Sequence, residues 1–305
     1  MVKESNSVNI SFGSLLNSVT KDAAKTLIVA AAHDKHTLEA VFYAAGQFPM
    51  RYFLVGDRDR ILSISRELGC AVDRDAIVDG GDDADCARKS VSLIREGRGD
   101  VLMKGILETG TLLKAVLDKD SGIRASGVMS HLAMVEVPRY HKAIFVTDGG
   151  ILTYPTAAQK ADIVRNAVSF CNRLGLKRPY VAALCASESV SDKMPETSDA
   201  ALLQEMCKRG ELGDCLLEGP VSFDIAIDPE SAKVKGYKGE ISGEADILLL
   251  PNIAVGNILV KGLIYWGGAK MAGCVLGAGA PIVLVSRGAS AEEKFLSIAL
   301  CMSGG

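Results

Sequence analysis

Ser286 and Arg287 close an apolar run, Val283-Leu-Val285, and lead into Gly-Ala-Ser290-Ala-Glu292-Glu293-Lys294. The run has the composition of a buried strand, so it delivers a hydroxyl and a guanidinium to a strand end. Ser290 is an N-cap residue type, and Glu293 stands three residues on, where a carboxyl group completes a capping box. A helix N terminus then faces whatever Arg287 binds, and its amides and partial positive charge suit an oxyanion such as phosphate. The same spacing has a plain structural reading, a capped helix beside a surface arginine. Spacing alone leaves both standing.

Two further segments place chemistry at strand ends. Asn252-Ile-Ala-Val-Gly256-Asn257-Ile-Leu-Val-Lys261 opens a helix directly after Leu248-Leu-Leu-Pro251. Gly256 and Asn257 either let a ligand approach backbone amides or let the helix pack on a sheet. Lys104-Gly105 follows a strand at 100–103, and with Thr109 and Lys114 it makes either a cationic pocket or a turn and a solvated helix. Asp148-Gly149-Gly150 reads as a tight turn. His33-Asp34-Lys35-His36 with Glu39 has metal-ligand residue types, but it splits between a loop and a helix, and no metal site is expected. His131 and His141 show no partner in sequence. Gly267-Gly-Ala-Lys270 lacks the spacing and hydroxyl of a P-loop, and no GxGxxG follows a strand, so dinucleotide binding has no local signature.

These residues need a scaffold of alternating elements, and the chain supplies one. Strands are expected at 26–32, 51–55, 76–78 and 100–103. Helices are expected at 37–47 with Thr37 as N-cap, 57–68 closed by Gly69, 82–96 and 109–117. This rhythm predicts a parallel sheet with helices on both faces. It changes near Ser121: 127–137 and 143–147 read as neighbouring antiparallel strands. Alternation then resumes with a helix at 157–174, a strand at 180–185 and a helix at 199–209. A strand at 247–250, a helix at 254–266, strands at 274–276 and 282–285 and a helix at 291–301 complete it. Domains are expected at 1–125 with 275–305, and at 126–274.

Composition supports this class. A chain of 305 residues suits one large or two medium domains, and 48% hydrophobic residues suffice for a full core. With aromatics at 5%, that core must be built from Ala, Val, Ile, Leu and Gly, as in buried parallel sheets. A net charge of −3 with no basic block argues against nucleic acid. The eight Cys form no CxxC pair and read as reduced thiols. A polar N terminus and no apolar stretch of membrane-spanning length predict a cytoplasmic protein.

Four ordered segments carry a family resemblance. They are Ser187-Glu-Ser-Val-Ser-Asp-Lys-Met-Pro-Glu-Thr-Ser-Asp199, Glu218-Gly-Pro-Val-Ser-Phe-Asp-Ile-Ala226, Pro251–Lys261 and Pro281–Leu300. Together they resemble the phosphate acetyl- and butyryltransferases. The resemblance implies an α/β, two-domain fold like that of isocitrate and isopropylmalate dehydrogenases, with parallel-rich sheets flanked by helices. It implies an active cleft between the domains, a homo-oligomer, coenzyme A as substrate and no metal or redox cofactor. It places catalysis on Ser286, Arg287 and Glu293, with Lys104, Thr109, Lys114, Gly256, Asn257 and Lys261 as substrate-binding candidates. Glu293 and Lys114 depart from the acetyl-transferring branch, which tends to have Asp and Arg there. The Val283-Leu-Val285 lead-in looks like the butyryl branch. The activity so implied is acyl transfer between coenzyme A and inorganic phosphate, butyryl favoured and acetyl the alternative. Two rivals of other classes are an NAD-dependent decarboxylating dehydrogenase on the same fold and a non-catalytic CoA-binding protein.

Overall fold

Asp34, Asp57 and Asp82 each stand just before a helix, and each carboxylate accepts an amide of the first turn, fixing where three crossover helices begin. They organise the first of two compact units, Gly13–Ser126 with Ala272–Gly305. The computed structural model describes residues 10–21, 23–125, 127–286 and 288–305. The first stretch runs α1 (Phe12–Val19), β1 (Lys25–Ala30), α2 (Lys35–Gln47), β2 (Met50–Gly56), α3 (Arg58–Glu67) and β3 (Ile77–Asp79). It continues through α4 (Asp83–Arg95), β4 (Val101–Lys104) and α5 (Thr109–Val116). The N-cap of α2 is Asp34 rather than Thr37. Its carboxylate takes the amides of His36 and Thr37 at 3.1 and 3.3 Å, and Thr37 is left buried in the first turn. Gly69, with φ of 67°, closes α3 in the left-handed region.

The second unit comprises Gly127–Met271 with the described residues 10–12. It holds β5 (Ser130–Glu136), β6 (Ile144–Thr147), α6 (Ala157–Arg173), β7 (Tyr180–Leu184), α7 (Pro195–Lys208) and β8 (Leu216–Val221). Then come α8 (Phe223–Ile227), α9 (Pro229–Val234), β9 (Ile247–Leu249) and α10 (Ile253–Tyr265). Its strands lie in the order β5-β6-β9-β7-β8, antiparallel between β5 and β6 and parallel beyond. One core here packs Val135, Val146, Ala182, Leu248 and Val221 around Ile225.

β10 (Lys270–Leu276) returns the chain to the first unit, where β11 (Ile282–Val283) and α11 (Ala291–Gly304) end it. The strands of the first unit lie in the order β3-β2-β1-β4-β11-β10, parallel except for β10 against β11. Leu27, Ile28, Val29, Leu54, Leu102 and Ile282 are fully buried, as strands covered on both faces require. No helix among the described residues is long and apolar enough to cross a membrane.

Candidate active site

Ligands of an open parallel sheet collect beyond the carboxyl ends of its strands, where strand order reverses. In the first unit that point lies between β1 and β4, with β2 and β3 to one side and β11 to the other. β11 runs beside β4 with Ile282 opposite Leu102 and Val283 opposite Met103. The carboxyl ends of these strands therefore bring Lys104 and the Ser286 segment to one edge.

Lys104 is buried, and its Nζ donates to the carbonyls of Gly105 and Leu107 at 3.1 and 3.0 Å. These bonds wrap the β4–α5 loop around the ammonium. The Gly105 and Ile106 amides donate to the carbonyls of Ala30 and Ala31. A side chain at Gly105 would meet the Ala31 carbonyl at 2.2 Å, so only glycine lets the two loops close together. That loop sets down the N terminus of α5, where Glu108 occupies the N-cap position without a side-chain cap bond. First-turn amides that no side chain caps are open to solvent or to an anion. Thr109 is half-buried in that turn. Lys114 is exposed in the last turn, about 7.5 Å further along the axis at the helical rise per residue. It returns to the edge only by leaning back along the helix.

Ser286 is exposed, its Oγ accepting the Gly288 amide at 3.4 Å and its carbonyl the Ala289 amide at 3.0 Å. Arg287 lies outside the described residues. Ser290 caps α11, Oγ accepting the Glu293 amide at 3.1 Å. The return bond that completes a capping box joins Gln159 to Thr156 at α6 but is not formed by Glu293. The Glu293 side chain is thereby released from capping. Half-buried, with no hydrogen-bond or ion-pair partner among the described residues, its carboxyl is pushed above the usual carboxylate range by burial, and Lys294 opposes the shift. A carboxylate in that state is a better proton acceptor than a solvated one. The backbone below it is held firmly: Ser297 Oγ donates to the Glu293 carbonyl at 2.7 Å and accepts the Gly273 amide at 2.9 Å.

In the second unit Gly256 is buried, and a Cβ there would meet Gly149 Cα at 2.6 Å. The close approach that this glycine permits is made by the chain's own Asp148–Gly149 turn. Asn252 caps α10 through the Val255 amide at 3.1 Å, and Asn257 and Lys261 stand exposed on the helix. The turn itself is more than a tight loop. Asp148 is buried, and its carboxylate accepts the amides of Gly150, Ile151 and Leu152 at 2.7, 3.0 and 3.0 Å. His131 packs on Gly150, and its carbonyl accepts Thr147 Oγ1 at 2.8 Å. Burial lowers its pKa, with Asp148 opposing. Only the hairpin register, Leu132 opposite Thr147, brings His131 and Asp148 side by side.

A second cluster that the sequence did not single out joins Ser222 and Lys235 to two carboxylates. Ser222 Oγ donates to Glu188, and Lys235 Nζ donates to Glu188, Ser222 and Asp224 at 3.2, 3.0 and 3.0 Å. The bonds from Lys235 and Ser222 hold the Asp224 carboxyl down, at about 2. Around His33 the candidate metal ligands are used otherwise. His33 Nδ1 accepts the Asp57 amide, Asp34 caps α2 and His36 pairs with Glu39 at 3.5 Å.

Residues 82–302 match the family described as phosphate acetyl/butaryl transferase. A phosphate butyryltransferase of Clostridium acetobutylicum is 41% identical over 95% of this chain and 96% of its own length. A phosphate acetyltransferase of Thermotoga maritima is 38% identical over 93% and 97%. The crystal structure of a branched-chain phosphotransacylase from Enterococcus faecalis V583 superposes with a TM-score of 0.80 at 33% identity, covering 92% of this chain and 98% of that one. A 4-hydroxythreonine-4-phosphate dehydrogenase from Klebsiella pneumoniae, 13% identical over 92% and 99% with a TM-score of 0.56, shares the fold alone. That likeness is the dehydrogenase-like architecture expected from the sequence.

Proposed function

The chain belongs to the phosphate acetyl/butaryl transferase family, and from that premise we propose that it moves a short acyl group, butyryl favoured, between coenzyme A and inorganic phosphate. The observation that carries the reading to a mechanism is the Glu293 carboxylate, half-buried and unpartnered among the described residues at the start of α11. In the forward direction a phosphate oxygen attacks the thioester carbonyl carbon. The C–S bond breaks, giving acyl phosphate and the CoA thiolate. In reverse, Glu293 takes the proton of the CoA thiol, whose ordinary pKa is about 8.5, the thiolate attacks the carbonyl carbon of the acyl phosphate, and the acyl C–O bond breaks to release inorganic phosphate. Burial that raises the carboxyl pKa narrows the gap this transfer must cross.

Ser286 donates a hydrogen bond to the developing oxyanion, and Arg287 neutralises its charge or that of the phosphate, a role that rests on the family resemblance. The uncapped first turn of α5, with Thr109, offers amides to phosphate, while Lys104 holds the loop that positions them. Asn257 and Lys261, exposed on α10, are candidate CoA contacts. The enzyme is cytoplasmic, works as a homo-oligomer and uses no resident cofactor in this reading.

The test is release of free CoA from butyryl-CoA and acetyl-CoA, with and without phosphate, in the absence of nicotinamide and added metal. Phosphate-dependent release with a higher kcat/KM for butyryl-CoA is expected. Each extra buried methylene contributes about 0.8 kcal/mol, so the preference should be modest. Release that continues undiminished without phosphate would point to a thioesterase. A clear preference for acetyl-CoA would overturn the butyryl assignment alone.

A further inference from the structure

Two thiols meet where α7 hands over to β8. Cys207 stands in the last turn of the helix and Cys215 directly before the strand, and their Sγ atoms lie 3.8 Å apart. A disulfide bond is about 2.05 Å long, so roughly 2 Å of approach separates the pair from a covalent link. The turn between them fixes this placement. Gly210, with φ of 76°, ends α7 in the left-handed region, and its amide donates to the Cys207 carbonyl at 2.9 Å. The Glu211 amide donates to the Met206 carbonyl at 3.0 Å, and Arg165 Nε donates to the Glu211 carbonyl at 2.8 Å. Leu212 is fully buried and anchors the middle of the turn. Gly213, with φ of 89°, brings the chain back, and Cys207 Sγ donates to the Cys215 carbonyl at 3.4 Å.

Access sets this pair apart. Cys274 and Cys301 also meet, but both are fully buried, closed to any solute. Cys207 is half-buried beside the exposed Lys208 and Arg209, so a small oxidant reaches its sulfur, while Cys215 behind it is buried. Burial, and then Cys207 beside it, push the Cys215 thiol pKa up. The two sulfurs therefore take different parts: Cys207 meets the oxidant and Cys215 resolves what forms.

We infer that Cys207 and Cys215 are a site of reversible disulfide formation by exchange with a low-molecular-weight disulfide, RSSR. The Cys207 thiolate attacks one sulfur of RSSR, its S–S bond breaks and RS⁻ leaves, giving the mixed disulfide of Cys207 with R. The Cys215 thiolate then attacks the Cys207 sulfur and displaces the second RS⁻. The protons shed by the two protein thiols are taken up by the two leaving thiolates, so the protein is oxidised by two electrons and RSSR is reduced to two RSH. The bond staples the end of α7 to the start of β8, elements already tied by the Gly219 amide donating to Gln204 Oε1 at 3.3 Å. In a reducing compartment the pair rests as two thiols, the state of this structure. Disulfide formation here is independent of acyl transfer, and either holds without the other.

Lys208 and Arg209 lie between the two cysteines, so trypsin reads the link: it yields 194–208 and 210–233, each with one cysteine, and the bond holds them together. The reduced full-length protein, freed of reductant, is incubated with glutathione disulfide, blocked with N-ethylmaleimide in denaturant and digested without reduction. Two of the eight thiols should be lost, with 194–208 joined to 210–233, and dithiothreitol should restore both. The joined form should melt about 2–5 °C higher, the scale for a short closed loop in a chain of this size. Cys215→Ser should stop at the mixed disulfide, with one glutathione on Cys207. Cys207→Ser is a nearly isosteric change at a half-buried position, so it should fold and give neither product, and it decides the matter if Cys215→Ser does not fold. Eight free thiols at every concentration of glutathione disulfide overturn the inference. So does a wild type that keeps glutathione on Cys207, a link from Cys207 to a second copy of the chain, or a joined form that melts no higher than the reduced one.

Discussion

The carboxyl edges of the two units use similar residue types in opposite states. In the second unit, Asp148 gives its carboxylate to three backbone amides, and Glu188 and Asp224 are bound by Ser222 and Lys235. In the first, the Glu293 backbone is fixed by Ser290 and Ser297, but its carboxylate is half-buried with no hydrogen-bond or ion-pair partner among the described residues, and the N-cap residue of α5 makes no side-chain cap bond. A satisfied carboxylate holds structure, because its lone pairs and charge are already committed. An unsatisfied one on a rigid backbone is available to take a proton. On the proposed reading, the first set of acids holds structure and Glu293 does the chemistry.

Glu293→Gln tests the chemical half and should have the largest effect. It keeps the amide that Ser290 accepts and removes the base, so CoA-thiol acylation should slow by about 10²–10⁴, the usual contribution of a positioned general base. Melting temperature should be nearly unchanged. Wild-type kinetics in this variant would leave Glu293 as a capped-helix residue and erase the contrast between the two edges.

Asp148→Ala tests the structural half. Losing the buried acceptor of three amides should cost about 3 kcal/mol in urea unfolding, since buried donors left unpaired cost about 1–3 kcal/mol each and some regain water. An Asp148→Ala protein as stable as wild type would show that this acid is not the staple described. Gly256→Ala should follow at roughly 1–3 kcal/mol, the range for overpacking, because the new Cβ lies 2.6 Å from Gly149 Cα and 2.7 Å from Leu250 Cδ1.

The first-unit edge was more legible in sequence than the second, for physical reasons. β4–α5 and β11–α11 are local: an apolar run, a polar pair and a helix start follow one another in the chain, so pattern alone places Lys104, Ser286 and Ser290. Asp148 reads as part of a glycine turn because its partners, though adjacent in sequence, are backbone amides that leave no side-chain signature. His131 acquires its neighbours only through hairpin register. β8 was missed because Pro220 interrupts its run. Among the described residues β8 pairs with β7 alone, at the end of the strand order, and Pro220 falls where the register shifts between Ala182 and Leu184, an edge position that tolerates proline. The short helices α1, α8 and α9 carry too few turns to announce a period, and the Thr37 cap was misplaced because Asp34, three residues earlier, accepts the amides of His36 and of Thr37 itself and so starts the helix before Thr37.

The smallest expected effect separates the two kinds of acid by pH. Asp224 has a folded pKa, about 2, below its unfolded value, so its pairing with Lys235 contributes stability that is present above about pH 4 and fades as pH falls towards 2. Its side chain is 45% exposed, and solvent screening keeps that contribution small. Glu293 has the opposite sign. Burial raises its folded pKa above the unfolded carboxyl value of about 4.3. The folded protein then holds the proton more tightly than the unfolded chain, so the ionised form is a cost. That cost is present above the folded pKa and disappears as pH falls below the unfolded value. Glu293→Gln should therefore be slightly more stable than wild type at pH 7, by roughly 0.5 kcal/mol or less, the scale of substitutions at partly exposed positions. The difference should vanish by about pH 4, below the unfolded carboxyl value, whereas Asp224→Asn should be slightly less stable at pH 7 and converge with wild type only in stronger acid. Paired urea titrations at pH 7 and pH 4 read both signs. A Glu293→Gln protein that is less stable than wild type at pH 7 and recovers in acid would mean that the carboxylate has a stabilising partner in the folded enzyme, and its availability as a base would fall with that result.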